Sequence, residues 1–276
     1  MLDTFQTNKT KNKLNHNHTK ILSRQISKQQ TVEDAIIVQG PDLALLVNKM
    51  KEEYPIVSKT NKYKEIFKKT NPLVSVIITT YNDSNSLINI ALKSVLNQTY
   101  KNLEILVTAE HSTDNTDQEM LKIKDSRINY ENLSVRPIYP SDKRQKWLVA
   151  GSVAQNNSLS KATGDFITYC DHDDYFTLDR IEKLVKFIQE QQCDFVYHPF
   201  YDNGLPGKTT VLNNATDLIL AQVTTSSVFY HSWFKQIPND VNSWKVNEPG
   251  DWNKFKKFKE IGAKVYRHPE FLTYKG

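Results

Sequence analysis

A chain of 276 residues with 38% hydrophobic and 24% charged residues is long enough to bury a substantial core, and its 4 Trp, 13 Tyr and 12 Phe exclude global disorder. No apolar run is long enough for a membrane-spanning helix, and two cysteines make neither a disulfide framework nor a four-cysteine zinc site. The net charge of +5 is concentrated at one end. Residues 1–70 hold 13 Lys and Arg against 7 Asp and Glu, and the remainder holds 23 against 24, so charge gives no support to nucleic-acid binding by the main domain.

Residues 1–30 are rich in Asn, Lys, Gln and Thr and read as a disordered basic leader. The tract from Lys9 to Lys28 reads as a solvated tail, with peripheral contact to an anionic membrane as the alternative. No signal-peptide core is evident, so the expected location is cytoplasmic, possible membrane contact being at the inner face. Residues 31–71 read as a helical extension and linker. Thr31 and Asp34 suit a helix cap before Ala35, Ile36 and Ile37, and Pro41 suits the first turn of a second helix carrying Leu43, Leu45, Leu46 and Met50. Residues 58–71 are Lys- and Thr-rich and read as a linker.

From Pro72 the pattern changes. Leu73 to Thr79 is a β-branched run that predicts a buried strand, followed by a turn at Tyr81 to Ser84 and a helix capped by Ser84. Strands are predicted at Leu103–Val107, Ile128–Leu133 and Phe166–Tyr169, with helices at Ser112–Ile123 and Ala150–Lys161 between them. Such alternation predicts an α/β fold with a mostly parallel, Rossmann-like sheet flanked by helices. Ligands in such sheets sit beyond the carboxyl ends of the strands, here Thr79–Asn82, Thr108–Ser112 and Cys170–Asp174. The glycine-rich phosphate loops of nicotinamide and P-loop enzymes are absent from the sequence. Both Cys170 and Cys193 read as buried small residues.

The strongest chemical signal is Asp171-His172-Asp173-Asp174 after an apolar strand. Three carboxylates in four residues repel one another unless a cation joins them, and hard oxygen donors suit Mg²⁺ or Mn²⁺ together with a substrate's phosphates. The alternative is an acidic turn that caps the helix beginning near Thr177.

In the same order along the chain stand Pro72-Leu-Val-Ser-Val-Ile-Ile-Thr-Thr-Tyr-Asn82, Asn97-Gln-Thr-Tyr-Lys-Asn-Leu-Glu-Ile-Leu-Val107, Ser112-Thr-Asp-Asn-Thr116, Ala162-Thr-Gly-Asp-Phe-Ile-Thr-Tyr-Cys-Asp171 and Pro249-Gly-Asp-Trp252. Gly262-Ala-Lys-Val-Tyr266 and Pro269-Glu-Phe-Leu272 follow. This set resembles the family 2 glycosyltransferases of the inverting, GT-A type over about residues 72–275. The resemblance implies a GT-A domain over 72–276. It places Thr79 and Tyr81 at the nucleotide, Glu110 on the uracil N3–H, Asp171 as the first carboxylate of the DxD motif and Asp173 as the main ligand of Mn²⁺ or Mg²⁺. Asp251 would be the catalytic base. An inverting transfer needs a carboxylate to take the acceptor's proton and positive charge to neutralise the departing diphosphate. The other reading of Asp251 is a helix N-cap before Trp252.

Several positions depart from the family pattern. Its acidic pair and glycine fall on Ala109, Glu110 and His111, Gln155 stands where arginine is common, and Gly250 replaces a glutamate, with Glu248 nearby. Lys143, Arg144 or Lys146 would supply phosphate charge instead, Arg144 being the nucleotide-binding choice. His231 and His268 are weighed as metal ligands against packed histidines, and Trp233, Trp244 and Trp252 as sugar-stacking residues against core. The resemblance implies a metal-dependent hexosyl- or N-acetylhexosaminyltransferase. It would move sugar from a nucleotide-diphosphate sugar, with uridine the favoured base, to a glycan or lipid-linked hydroxyl acceptor, with no nucleic-acid partner. The alternatives are a degenerate nucleotide-sugar-binding module without transfer activity and, ranked below it, a nucleotidyltransferase.

Overall fold

A computed structural model describes residues 41–202 and 211–276, all within one compact unit that runs from Val38 to Gly276. The basic leader and the short helix expected at 31–37 lie outside the described residues.

Helix α1 (Pro41–Val57) buries Leu43, Val47, Met50 and Tyr54, a spacing of three to four residues that turns one face inward. The stretch read as a linker is instead structured. Thr60 caps the short helix α2 (Asn61–Glu65), which continues as a 3₁₀ turn at Ile66–Lys68, and Tyr63 and Phe67 are buried. The Lys-rich composition conceals two aromatic anchors spaced four apart, and these decide the local structure. The hydroxyls of Tyr54 and Tyr63 both donate to the buried carboxylate of Asp194, and Lys264 adds its backbone N–H at 2.7 Å. The extension is therefore hydrogen-bonded into the domain's core.

Strand β1 (Val74–Thr80) is buried along its whole length, as its unbroken β-branched run requires of a central parallel strand. The next helix, α3, has three stretches: Ser84–Ser86, a π-helical Leu87–Leu92 and Lys93–Leu96. Its cap is Asp83, whose carboxylate accepts from Ser86 N, and not Ser84. Then come β2 (Leu103–Ala109), α4 (Thr116–Lys122), β3 (Ile128–Asn132), α5 (Lys143–Val149), α6 (Ser152–Lys161) and β4 (Phe166–Tyr169). After β4 follow β5 (Tyr175–Phe176), α7 (Arg180–Gln191), β6 (Phe195–Tyr197), β7 (Phe200–Asp202), β8 (Val211–Asn213) and β9 (Val228–His231). Helix α8 (Gly250–Ile261), β10 (Val265–Arg267) and β11 (Thr273–Tyr274) complete the described fold.

The main sheet has seven strands in the order β10-β6-β9-β4-β1-β2-β3. It is parallel except at β9, which runs antiparallel to both β4 and β6. A second sheet has the order β5-β11-β7-β8. Register aligns the carboxyl ends that matter. Thr80 pairs with Ala109 on β2 and Ile77 with Tyr169 on β4, so Tyr81, Glu110 and Asp171 leave the sheet at one edge.

Candidate active site

The edge beyond β1, β2 and β4 carries two acidic centres. The first is Glu110, just after β2, which is buried at 3% exposure. Arg136 Nη1 donates to its Oε2 at 2.9 Å, the Tyr139 hydroxyl donates to Oε1, and Ala154 N approaches Oε1 at 3.4 Å. Burial pushes the Glu110 carboxyl up, and these partners pull it back. The same guanidinium stacks on the Tyr81 ring at 3.3 Å. The expected acceptor for a base N3–H is thus already engaged by this chain's own donors. The group beside Glu110 with donors to spare is Arg136, which the sequence reading missed because a lone arginine in a loop carries no spacing signal. His111, in the family's glycine position, has φ +60°, the left-handed region that favours glycine. Its Nδ1 is hydrogen-bonded to Leu133 O at 3.1 Å, which holds the turn.

Thr79, at the end of β1, is almost fully buried. A Cβ on Gly151, which has φ +81° at the start of α6, would lie 3.5 Å from Thr79 Oγ1, so the elbow between α5 and α6 runs against this residue. Gln155 is tied to Asn239 at 3.0 Å and serves packing at the position where arginine is common. Arg144 lies on the exposed side of α5 with Nε on Asn247 Oδ1 at 3.3 Å.

The second centre is Asp171–Asp174. Ser226 Oγ accepts from Asp171 N at 2.9 Å, and the adjacent Thr225 donates Oγ1–H to Asp251 Oδ2 at 3.2 Å. Two consecutive residues thus tie the backbone of Asp171 and the carboxylate of Asp251, about 80 residues apart in sequence, to one short segment. Burial raises the Asp171 carboxyl well above the ordinary aspartate range, and the charges of Asp174, Asp173 and Asp251 raise it further. Asp251 is also raised by burial, partly offset by Trp252 N and Thr225. It lies in the first turn of α8, whose N-cap is Pro249, so the N-cap reading fails. Asp174 is pushed up to about 7 by burial and Asp173, and its Oδ2 is buried without a hydrogen-bond partner. Lys275, also missed from sequence, lowers all three shifted carboxyls. Its Nζ is 3.7 Å from Asp202.

Among the described residues no three His, Cys, Asp or Glu side chains converge as a complete metal site would require. The donors nevertheless fit a hard cation that takes few protein ligands. They are oxygen-only, mutually repelling, and leave one buried oxygen unsatisfied. His172 Nε2 is 3.5 Å from Asp83 Oδ2, and Nδ1 is 3.9 Å from Asp173 Oδ1. His231 and His268 are packed histidines. His231 stacks on Tyr63 at 3.9 Å and accepts from Trp233 N through Nδ1, and His268 packs edge-on against Phe187 and accepts from Glu270 N. Gly250 has a steric reason to replace a larger residue, since a Cβ there would come 2.9 Å from Ser152 Oγ. Glu248 is held by Lys256 and Asn253. Trp233 and Trp252 pack against the core. Both cysteines are free and buried.

A parallel α/β sheet with acidic loops beyond β2 and β4 is the GT-A architecture. The chain matches the model of glycosyl transferase family 2 over residues 75–256 and belongs to that family. Among curated relatives it is 36% identical over 129 residues to the Escherichia coli UDP-Glc:alpha-D-GlcNAc-diphosphoundecaprenol beta-1,3-glucosyltransferase WfaP, covering 47% of this chain and 46% of that one. It is 30% identical over 128 residues to the putative teichuronic acid biosynthesis glycosyltransferase TuaG of Bacillus subtilis, covering 46% of each. The match therefore spans about half the length of these relatives. The fold is shared with Staphylococcus aureus TarS in complex with UDP, at TM-score 0.56 and 18% identity over 73% of this chain and 59% of that one. It is also shared with the mannosyltransferase PcManGT of Pyrobaculum calidifontis in complex with GDP-Man and Mn²⁺, at 0.54 and 15% over 88% and 68%. Among the described residues no helix is long and apolar enough to cross a membrane.

Proposed function

We propose that the chain is an inverting glycosyltransferase that moves a hexosyl or N-acetylhexosaminyl group from a nucleotide-diphosphate sugar to a hydroxyl acceptor in glycan biosynthesis. Uridine is the favoured base, as in the WfaP donor, and a lipid-linked acceptor is favoured on the same likeness. The observation that carries the reading is the link from the Asp171 backbone through Ser226 and Thr225 to the Asp251 carboxylate, together with the charge of Asp251 acting on the Asp171 carboxyl.

In this reading Thr79 and Tyr81 hold the nucleoside, Glu110 acts through Arg136 rather than on the base directly, and Arg144 contributes charge toward the diphosphate. Asp173, with Asp171, would hold Mn²⁺ or Mg²⁺, which would neutralise the departing diphosphate. Asp251 takes the acceptor's proton. Its raised affinity for protons makes it a better base than an ordinary surface aspartate. The unpaired acid cluster supports the metal role, since a cation and a diphosphate together would relieve its repulsion.

Calorimetric titration of UDP with and without Mn²⁺ tests this. Wild type should bind UDP more tightly with Mn²⁺, and Asp173→Ala should lose that gain, roughly tenfold or more in Kd. Equal binding with and without Mn²⁺ in folded wild type sinks the metal role. Failure to bind UDP while GDP binds sinks the choice of base.

A further inference from the structure

Helix α5 packs its inner residues, Leu148 and Val149, into the protein and turns Lys143, Lys146 and Trp147 outward. Trp147 is 71% exposed. The 3₁₀ turn Ser243–Val246 adjoins α5, linked to it by the Arg144–Asn247 hydrogen bond, and presents Lys245 and Val246, the latter 64% exposed. Among the described residues Lys143, Lys146 and Lys245 form no ion pair, whereas Lys69, Lys122, Lys161, Lys183 and Lys256 each sit on a carboxylate. The nearby acids are already engaged. Asp142 caps α5 by accepting from Gln145 N, and Glu248 is held by Lys256. The result is an indole and a branched aliphatic side chain in water, ringed by uncompensated positive charge.

We propose that this surface docks on an anionic lipid bilayer, Trp147 and Val246 entering the interface and the three lysines facing lipid headgroups. The pairing of an amphipathic aromatic with basic side chains matches the two layers that such a surface offers, a charged plane above an apolar one. Position supports the assignment. Leu148 O would lie 3.6 Å from a Cβ on Gly250, so α5 abuts the residue before Asp251, and the patch flanks the carboxylate end of the site. This deepens the lipid-linked-acceptor reading and rests on it, because docking here would bring that end of the site to the membrane.

The test uses the full chain and phosphatidylcholine vesicles with and without phosphatidylglycerol, read by co-sedimentation and by quenching of tryptophan fluorescence with brominated lipid. Wild type should bind the anionic vesicles preferentially. K143Q/K146Q/K245Q should weaken that binding on the order of a hundredfold, near the sum of three interfacial charges. W147S should weaken it roughly tenfold, and W147F should lose the bromolipid-quenched component. The leader is present in every variant, so the differences report the patch. Unchanged binding in both the triple variant and W147S overturns the proposal. So does a wild type that ignores anionic vesicles, or quenching that persists in W147F. UDP binding measured without vesicles should be the same in wild type, W147S and W147F, and its absence with vesicle binding intact would fault the donor reading and leave the docking surface standing.

Discussion

Two acidic centres flank β1 at the same edge of the sheet, and they are built on opposite principles. Glu110, after β2, is enclosed by Arg136, Tyr139 and Ala154 N, so its charge is balanced within the fold. Asp171, Asp173 and Asp174, after β4, lie near Asp251 and are moderated by the charge of Lys275 and, at Asp174, of Arg180, while one buried oxygen of Asp174 has no hydrogen-bond partner among the described residues. A carboxylate satisfied by its own chain does structural work. Carboxylates left to repel one another are poised for a charge brought from outside, in the proposed reading a cation with a diphosphate. The difference separates scaffold from chemistry more sharply than does the presence of an acid in a motif.

The largest expected effect comes from the unbalanced centre. Asp251→Asn removes the proposed base and should lower transfer by about a thousandfold at saturating donor, while UDP binding and the folded far-ultraviolet spectrum persist. In wild type the same group must be ionised to act, so the acid limb of the rate profile should lie above the ordinary aspartate range, as its raised proton affinity requires. Retention of near-native turnover in Asp251→Asn would mean that the proton leaves by another route. The contrast with Glu110 would then lose its meaning.

At the balanced centre the effect should fall on stability. Arg136→Met leaves Glu110 buried with only Tyr139 and a distant amide, and should cost roughly 2 kcal/mol, less than a fully buried pair because the guanidinium is 27% exposed. Urea denaturation would show this as a lower midpoint at unchanged slope, and adding Glu110→Gln should recover most of the loss. A midpoint equal to wild type would show that Glu110 does not depend on Arg136.

The contrast also marks how far the sequence could be read. The parallel sheet was legible because its central strand β1 is a β-branched run and short apolar runs alternate with helical stretches on either side of it, and the placement of ligands beyond strand ends follows from that topology alone. Asp171 and Asp173 were legible because like charges crowded after a strand are costly without a reason. What the local pattern hid were long-range partners. Arg136 and Tyr139 find Glu110 across 26 and 29 positions, and Thr225 reaches Asp251 across 26. Tyr63 reaches Asp194 across 131 positions, which is why a Lys-rich stretch passed for a linker. Such pairings follow from the register of the sheet and leave no trace in local spacing.

Lys254 extends the comparison to a buried cation. It lies on α8 three residues after Asp251, is 1% exposed, and its Nζ donates only to the Tyr169 hydroxyl, at 2.6 Å. Burial without an acidic partner lowers its affinity for protons, bringing it from 10.5 to about 7. The sign follows from linkage. Between those values the unfolded chain holds a proton that the folded chain lacks, so this group makes stability rise with pH across that window, and below pH 7 its penalty is complete. Lys254→Met keeps the volume and leaves the Tyr169–Tyr230 hydroxyl pair intact. It should therefore gain roughly 2 kcal/mol at pH 7, with the gain shrinking toward pH 10. Urea midpoints of both proteins at the two pH values decide the matter. A gain independent of pH would place the effect in packing, and a loss would mean that the ammonium is stabilised where it lies.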